Sequence, residues 1–400
     1  MRLNFLILFI VLLSVLTTPT TLANTPCTLQ GQESQSLDAC QRILNEQTLP
    51  DFLLKTINNT MNWQAVEIAV NNSNAIAAQR LLSLGIPDAF FMQVIQLQNQ
   101  QTQLLLSLDK NSSFNKRPVQ NRFLYTWLDL PAKQTTVLYI IYATHGKTPL
   151  EPRLLTLNQL SKQDTKNNLI NGVIFWVLLI LIPILLFSQQ DGLPYATSRS
   201  YVLLILSELL FISQTEGYNF QFLWADYPLW NRQVPGVIGV ILVLAHALFT
   251  ISFFQVRQRF KGFFYAFVVV ILLTIMGLLL RNTEYFTQWT ATMVIIYAFL
   301  SLILGLLASV QQLPAAKFYL LGSLSLIIFN VILLLSSLFW RNPFPDISLF
   351  TYPKLAYAFE SVFFIIAVLN QLRLFNAQKA QLRIKRQAET EQLIKPSKNV

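Results

Sequence analysis

Cysteine, histidine and charge are all scarce in this sequence, and each scarcity closes off a class of protein. Two cysteines in 400 residues cannot build a disulfide-framework mini-protein or a zinc site of the CxxC…CxxC kind. Two histidines leave little material for a His-rich metal centre. Asp, Glu, Lys and Arg make up 12% of the chain and hydrophobic residues 53%. A soluble globular chain carries roughly 25% charged residues, so an ordinary soluble enzyme and a disordered chain are both excluded. No GxSxG and no HExxH occurs. His145-Gly146-Lys147-Thr148 contains the end of a phosphate loop without its first glycine, and it follows a strand pattern without opening a helix, so nucleotide binding is rejected. No catalytic residue, metal site or cofactor is predicted, and the chain is read as a non-enzyme.

What is present is organised along the chain. Residues 1–23 carry Arg2, an apolar run from Phe5 to Leu16 and a small, polar stretch ending Thr-Leu-Ala. This is the three-part pattern of a secretory signal peptide cut after Ala23. Residues 24–166 are mixed in polarity. From Leu169 onward, seven apolar segments each approach the ~20 residues needed to span a bilayer: 169–188, 195–213, 235–256, 262–280, 289–310, 317–340 and 354–375. The predicted domains are therefore 24–166 outside, 167–375 in the membrane and a basic tail over 376–400.

Positive charge sets the orientation. If 24–166 is exported, the inward loops and tail hold Arg199, Arg257, Arg259, Lys261, Lys317, Arg373, Lys379, Arg383, Lys385, Arg386, Lys395 and Lys398. The outward loops hold Arg232, Arg281, Arg341 and Lys354. That bias fits an outer N-terminus and an inner C-terminus with an odd number of spans. Much of the net charge of +10 thus lies just inside a bilayer, where it meets lipid rather than nucleic acid.

The outer domain is predicted to be a β-sandwich. Trp63–Val70 alternates, with Val66, Ile68 and Val70 on one face, and 89–98, 123–130 and 136–144 are rich in aromatic and β-branched residues. Residues 36–46 and 51–58 have a helical pattern instead. Cys27 and Cys40 are predicted to pair if the domain is exported.

After the second span stands Glu216-Gly217-Tyr218-Asn219-Phe220-Gln221-Phe222-Leu223-Trp224. In the last span, Glu360 precedes an apolar stretch and then Asn370-Gln371-Leu372-Arg373. In the outer domain, Arg117-Pro118, Arg122 and 128–131 precede the strand pattern at 137–143. These motifs, with the order signal peptide, β-sandwich, seven spans and cytoplasmic stub, resemble the bacterial seven-transmembrane receptors with diverse intracellular signalling modules (7TMR-DISM) over roughly residues 60–380, with a type-2 extracellular sensing domain. The resemblance implies a jelly-roll-like periplasmic β-sandwich, seven helices in the bacterial inner membrane, a periplasmic N-terminus and a cytoplasmic C-terminus. Members usually continue into a histidine kinase, a diguanylate cyclase or another output domain. Here no histidine follows His246, so output is expected to pass to a separate signalling protein.

Candidate site residues follow. Alternation puts Phe123, Tyr125 and Trp127 on one strand face, which Tyr139 can extend, with Arg122 beside it for an anionic ligand. The resemblance implies a carbohydrate or other small periplasmic ligand stacked on these rings; half of a sandwich core is the alternative reading. Phe220, Phe222 and Trp224 form either an interfacial belt or a lid that docks the outer domain on the helices. Glu208, His246 and Glu360 are ionisable groups inside spans. At 1.5 Å per residue, Glu208 and Glu360 fall roughly 8 and 9 Å below the outer boundary, and His246 and Asn330 roughly 15 Å. They suit a signal or proton relay, or a hydrogen bond that fixes packing. The last span has no lysine at mid-depth, which argues against a retinal Schiff base. A seven-span transporter or proton-coupled protein, and an accessory scaffold subunit, are the alternatives to a receptor.

Overall fold

The computed structural model describes residues 26–394 except 30–34, 38–39, 46–47, 55–62, 86–88, 90, 99–100, 110, 145–149, 189–194, 284 and 340–350. The predicted signal peptide and the 145–148 stretch lie outside the described residues.

The N-terminal part is built from two sheets. The larger holds β1 (Cys27–Thr28), β3 (Gln41–Leu44), β4 (Gln64–Asn72), β6 (Phe91–Gln98), β7 (Gln101–Leu108) and β9 (Gln134–Ala143). Its order is β1-β4-β9-β6-β7, with β3 on the same edge of β4 as β1. The smaller sheet, in the order β2-β10-β5-β8, holds β2 (Gln35–Ser36), β5 (Ala78–Ser83), β8 (Tyr125–Leu130) and β10 (Arg153–Leu155). Period-two alternation sends Val66, Ile68 and Val70 of β4 and Leu138, Ile140 and Tyr142 of β9 into one core with Leu82, Leu128, Leu130 and Leu154 of the other sheet. The opposite face of the larger sheet is covered by the chain around Leu44, Leu49 and Leu53, which buries Ala65, Tyr139 and Ile141.

Residues 36–46 correct the sequence reading. Leu37, Cys40 and Leu44 have helical spacing and do turn inward. They do so from extended chain, because Gln41–Leu44 pairs antiparallel with Ala65–Ile68 at the sheet edge. Cys40 is disulfide-bonded to Cys27. Of 51–58, Asp51–Leu54 forms one helical turn, and 55–58 lie outside the described residues.

The rest is helical: α1 (Leu157–Ser188), α2 (Tyr195–Thr215), α3 (Pro228–Phe253), α4 (Lys261–Met276), α5 (Tyr285–Val310), α6 (Ala316–Phe339) and α7 (Thr351–Ile394). Among the described residues, six are long and apolar enough to cross a bilayer, and α6 is apolar over Ala316–Ile332. The chain is a multi-pass membrane protein. α3 packs on α2, α4 and α5, α6 on α5 and α7, and α1 on α2 and α7. Small residues permit close approach: a Cβ on Gly322 of α6 would come within 2.7 Å of the Phe364 ring of α7.

α1 starts twelve residues before the expected span because its start is capped. The Thr156 N–H donates to Gln159 Oε1 (2.7 Å) and the Gln159 N–H to Thr156 Oγ1 (3.3 Å), a reciprocal capping box. The predicted 166/167 boundary therefore falls within a helix. α7 likewise continues past the expected 375 to Ile394.

Candidate functional site

The segment Glu216–Trp224 links α2 to α3 and is held by contacts at Glu216, Tyr218, Asn219, Phe220 and Trp224. Gly217 takes a left-handed φ of 77°, which a side chain resists, and this turn reverses the chain after Glu216. Asn219 donates to the Leu210 carbonyl near the end of α2 (3.2 Å) and hydrogen-bonds Ser213. The Trp224 and Gln214 side chains both donate to Asn231 Oδ1 (3.0 Å each).

On this segment the sheet domain meets the helices. Phe114 and Phe220 pack edge to face, 5.7 Å between centroids, and the Phe114 N–H donates to the Ala225 carbonyl at 2.9 Å. The buried Arg117 guanidinium covers both rings, 4.7 Å from Phe114 and 5.3 Å from Phe220. It also donates to the Asn121 and Arg122 carbonyls (3.0 and 2.6 Å). Burial lowers this guanidinium to about 10, and the two carbonyls and two ring faces keep the cation favourable there.

Arg122 is 5% exposed. Its guanidinium lies 4.4 Å from the Tyr218 ring centroid, and its Nη2 is 3.9 Å from Glu216 Oε2. Glu216, also buried, accepts from Lys354 Nζ at the start of α7 and from Asn171 Nδ2 of α1 (2.7 Å). Lys354 Nζ also donates to Asn171 Oδ1 at 3.2 Å. One carboxylate thus gathers the sheet domain, α1, α2 and α7. The Tyr218 hydroxyl donates to Asn168 Oδ1 (2.8 Å), and Asn121 donates to Asp164 (2.7 Å), adding two further ties to α1.

A second polar cluster lies farther along the same helices. Glu208 precedes Glu216 by eight residues on α2, and Glu360 follows Lys354 by six on α7, about 12 and 9 Å at 1.5 Å per residue. His246 Nε2 lies 2.9 Å from Glu360 Oε2. Its Nδ1 is 2.9 Å from the Leu242 carbonyl; a carbonyl only accepts, so Nδ1 carries the proton of that bond. The Ser361 hydroxyl donates to Glu208. The ligand atoms of Glu208, His246 and Glu360 all lie within 4.8 Å of one another and are buried. Glu208 Oε1 and Glu360 Oε1 are buried without a hydrogen-bond partner. One turn beyond His246, Thr250 Oγ1 bonds the Tyr297 and Tyr319 hydroxyls (2.7 and 2.6 Å), and Ser301 bonds Tyr319 and Ser323 (2.6 and 2.9 Å).

The structure redistributes the residues singled out in the sequence. Tyr125 and Phe123 do share a face, but it packs with Leu81, Leu155 and Leu160 at the start of α1. Trp127, on that face, is 37% exposed. Tyr139 does not extend it, because β9 belongs to the other sheet and Tyr139 is covered there beside Phe52. Arg122 faces Glu216 rather than open solvent. Of the aromatic segment, Phe220 is buried and Phe222 is 70% exposed. His246 shares one layer with the two glutamates instead of lying a turn deeper, since residue counting ignores how helices cross. Asn330 stays outside that layer and donates to Leu326 on its own helix (2.7 Å). Sequence reasoning grouped no metal ligands, whereas Glu208, His246 and Glu360 converge. It also missed the Lys354, Asn171 and Arg117 contacts; a lysine opening an apolar helix was the available signal for the first.

Fold and site together define a multi-pass membrane protein with a β-rich domain docked on one end of its helices. Residues 167–371 match the family model described as 7TM diverse intracellular signalling. That is half of the chain, and the chain belongs to this family of transmembrane signalling proteins. No curated protein and no solved structure matches it.

Proposed function

We propose that the chain is a transmembrane receptor of a bacterial inner membrane, with the sheet domain in the periplasm and the end of α7 in the cytoplasm. A periplasmic ligand binds the sheet domain, shifts the balance between two arrangements of the helices by its differential affinity for them, and a separate signalling protein reads the change at the basic end of α7. The chain itself carries out no catalysis. The observation that carries the reading is the buried Arg122–Glu216–Lys354 cluster, which makes the sheet domain and the first and last helices parts of one polar contact.

Trp127 is the proposed ligand platform. It is exposed, and two residues along the same strand face Asp129 accepts from Gln79 at 3.0 Å. A ring flanked by a hydrogen-bonding pair suits a carbohydrate, whose apolar face stacks while its hydroxyls bond at the edge. The test is a screen of glycans and cell-envelope fragments against the full chain in detergent, read by thermal shift. A ligand of the native state raises the midpoint by mass action. The reading expects a hit that Trp127→Ala removes while the protein stays folded; hits indifferent to Trp127→Ala overturn the platform, and no hit at all overturns the carbohydrate class.

The convergence of Glu208, His246 and Glu360 supports a second reading, a proton-coupled membrane protein. Under it, Glu208→Gln and Glu360→Gln abolish proton uptake into proteoliposomes; unchanged uptake rejects it.

A further inference from the structure

We infer that Glu208, His246 and Glu360 form a binding site for one divalent transition-metal ion of the zinc class, held between α2, α3 and α7. Three observations converge. The donor set is two carboxylates and one imidazole, with all ligand atoms within 4.8 Å of one another and every residue buried. Nitrogen and oxygen donors of this kind suit zinc and its first-row neighbours, whereas magnesium and calcium favour all-oxygen shells.

The supporting contacts are those a metal site needs. His246 directs Nδ1 at the Leu242 carbonyl (2.9 Å), which fixes the ring and leaves Nε2 as the inward-facing nitrogen. The Ser361 hydroxyl binds one oxygen of Glu208 and leaves Oε1, buried and without a partner, to ligate. Glu360 Oε1 is likewise buried and without a partner.

Charge points the same way. Two carboxylates in a membrane interior are costly unless neutralised. A dication bound by both carboxylates and by Nε2 leaves the site neutral, and any proton shared across the 2.9 Å contact between His246 Nε2 and Glu360 Oε2 is released to bulk water as the ion enters. A tetrahedral zinc shell, with bonds of about 2.0–2.2 Å, has ligands about 3.4 Å apart. Loading therefore draws together ligand atoms that lie up to 4.8 Å apart and separates His246 from Glu360 slightly. The fourth position is left to water. A metal here pins three helices together whatever the sheet domain binds.

The test uses the full chain in detergent, stripped with chelator, then loaded with Zn²⁺ and desalted. The expected result is one zinc per chain, a raised melting midpoint, and at least tenfold weaker binding in Glu360→Gln and His246→Ala. His145→Ala, which removes the other histidine of the chain, binds as the wild type does. Should the variants fail to fold, Co²⁺ loading of the wild type decides: intense visible ligand-field bands mark a four-coordinate protein site. Substoichiometric zinc in the wild type, undiminished binding in His246→Ala, or cobalt bands no stronger than those of the aqueous ion overturn the site.

Discussion

Lys354 and Glu216 stand 138 residues apart in sequence and meet as a buried ion pair. Lys354 opens α7 and Glu216 follows the last turn of α2. Removing one partner of such a pair strands the other charge, which costs about 3–5 kcal/mol. Lys354→Met is expected to destabilise by that order, and the double variant Glu216→Gln/Lys354→Met by less than the sum of the two singles. Denaturant unfolding in micelles, followed by circular dichroism, checks the cycle. Additive costs would mean that the pair contributes nothing as a pair.

Arg122 is expected to act on the joint and not on the sheet core, because its side chain lies against Tyr218 and Glu216. Arg122→Ala should speed amide exchange in 216–225 while β4 and β9 keep their protection. Arg122→Lys should fail to restore it, since an ammonium cannot lie flat on the Tyr218 ring as a guanidinium does. Hydrogen-exchange mass spectrometry separates these segments, and equal acceleration in the core strands would refute the assignment.

Gly322 is a packing position. A Cβ there would meet Phe364 at 2.7 Å and the Glu360 carbonyl at 3.3 Å. Overpacking of this kind costs about 1–3 kcal/mol, so Gly322→Val should lower the melting midpoint. Gly262→Ala is the control, because nothing lies within 4 Å of its Cβ position. A midpoint unchanged in Gly322→Val would show that α6 and α7 separate readily.

Burial pushes the phenols of Tyr125 and Tyr142 well above the ordinary value of 10.0. In the unfolded chain these phenols ionise near 10, so the folded state binds the extra protons above that pH. Their contribution to stability is complete below pH 10 and is lost as pH rises past it. Arg117 works in the opposite direction, since burial lowers its folded value. Tyr125→Phe compared with wild type isolates the phenol: the variant should lose less stability between pH 9 and about 11. Phenolate absorbance should also rise in two phases, exposed tyrosines first and buried ones on unfolding.

Much of this was legible in local pattern, and the reasons differ by element. The strand at Trp63–Val70 announced itself by alternation because one face meets a core and the other does not. The long helices announced themselves because a bilayer demands apolar length. Residues 36–46 misled because Leu37, Cys40 and Leu44 satisfy a helical period, while the deciding hydrogen bonds come from β4, more than twenty residues away. The aromatic face of β8 was visible, but its cover was not. Only the early, capped start of α1 brings Leu160 over Tyr125, and the Thr-x-x-Gln signature at 156–159 is where that could have been read. The Glu216–Lys354 pair had no local period at all, since it joins residues brought together by the closing of the helix ring.

α7 carries Lys354 and Glu360 near one end and runs without a break to Ile394, with its residues from Ala377 to Thr390 exposed. It therefore behaves as a shaft. At 1.5 Å per residue it is about 66 Å long, so a rigid displacement of one end is carried to the other. If Lys354 let go of Glu216 and the helix slid by a single turn, Arg383, Lys385 and Arg386 would travel the same ~5.4 Å. A quarter-turn at the lysine would aim those three cations at a different neighbour. The amplitude of such a motion is bounded by every contact that holds α7, the Lys354–Glu216 pair, the His246–Glu360 contact and the packing of Phe364 on Gly322 among them.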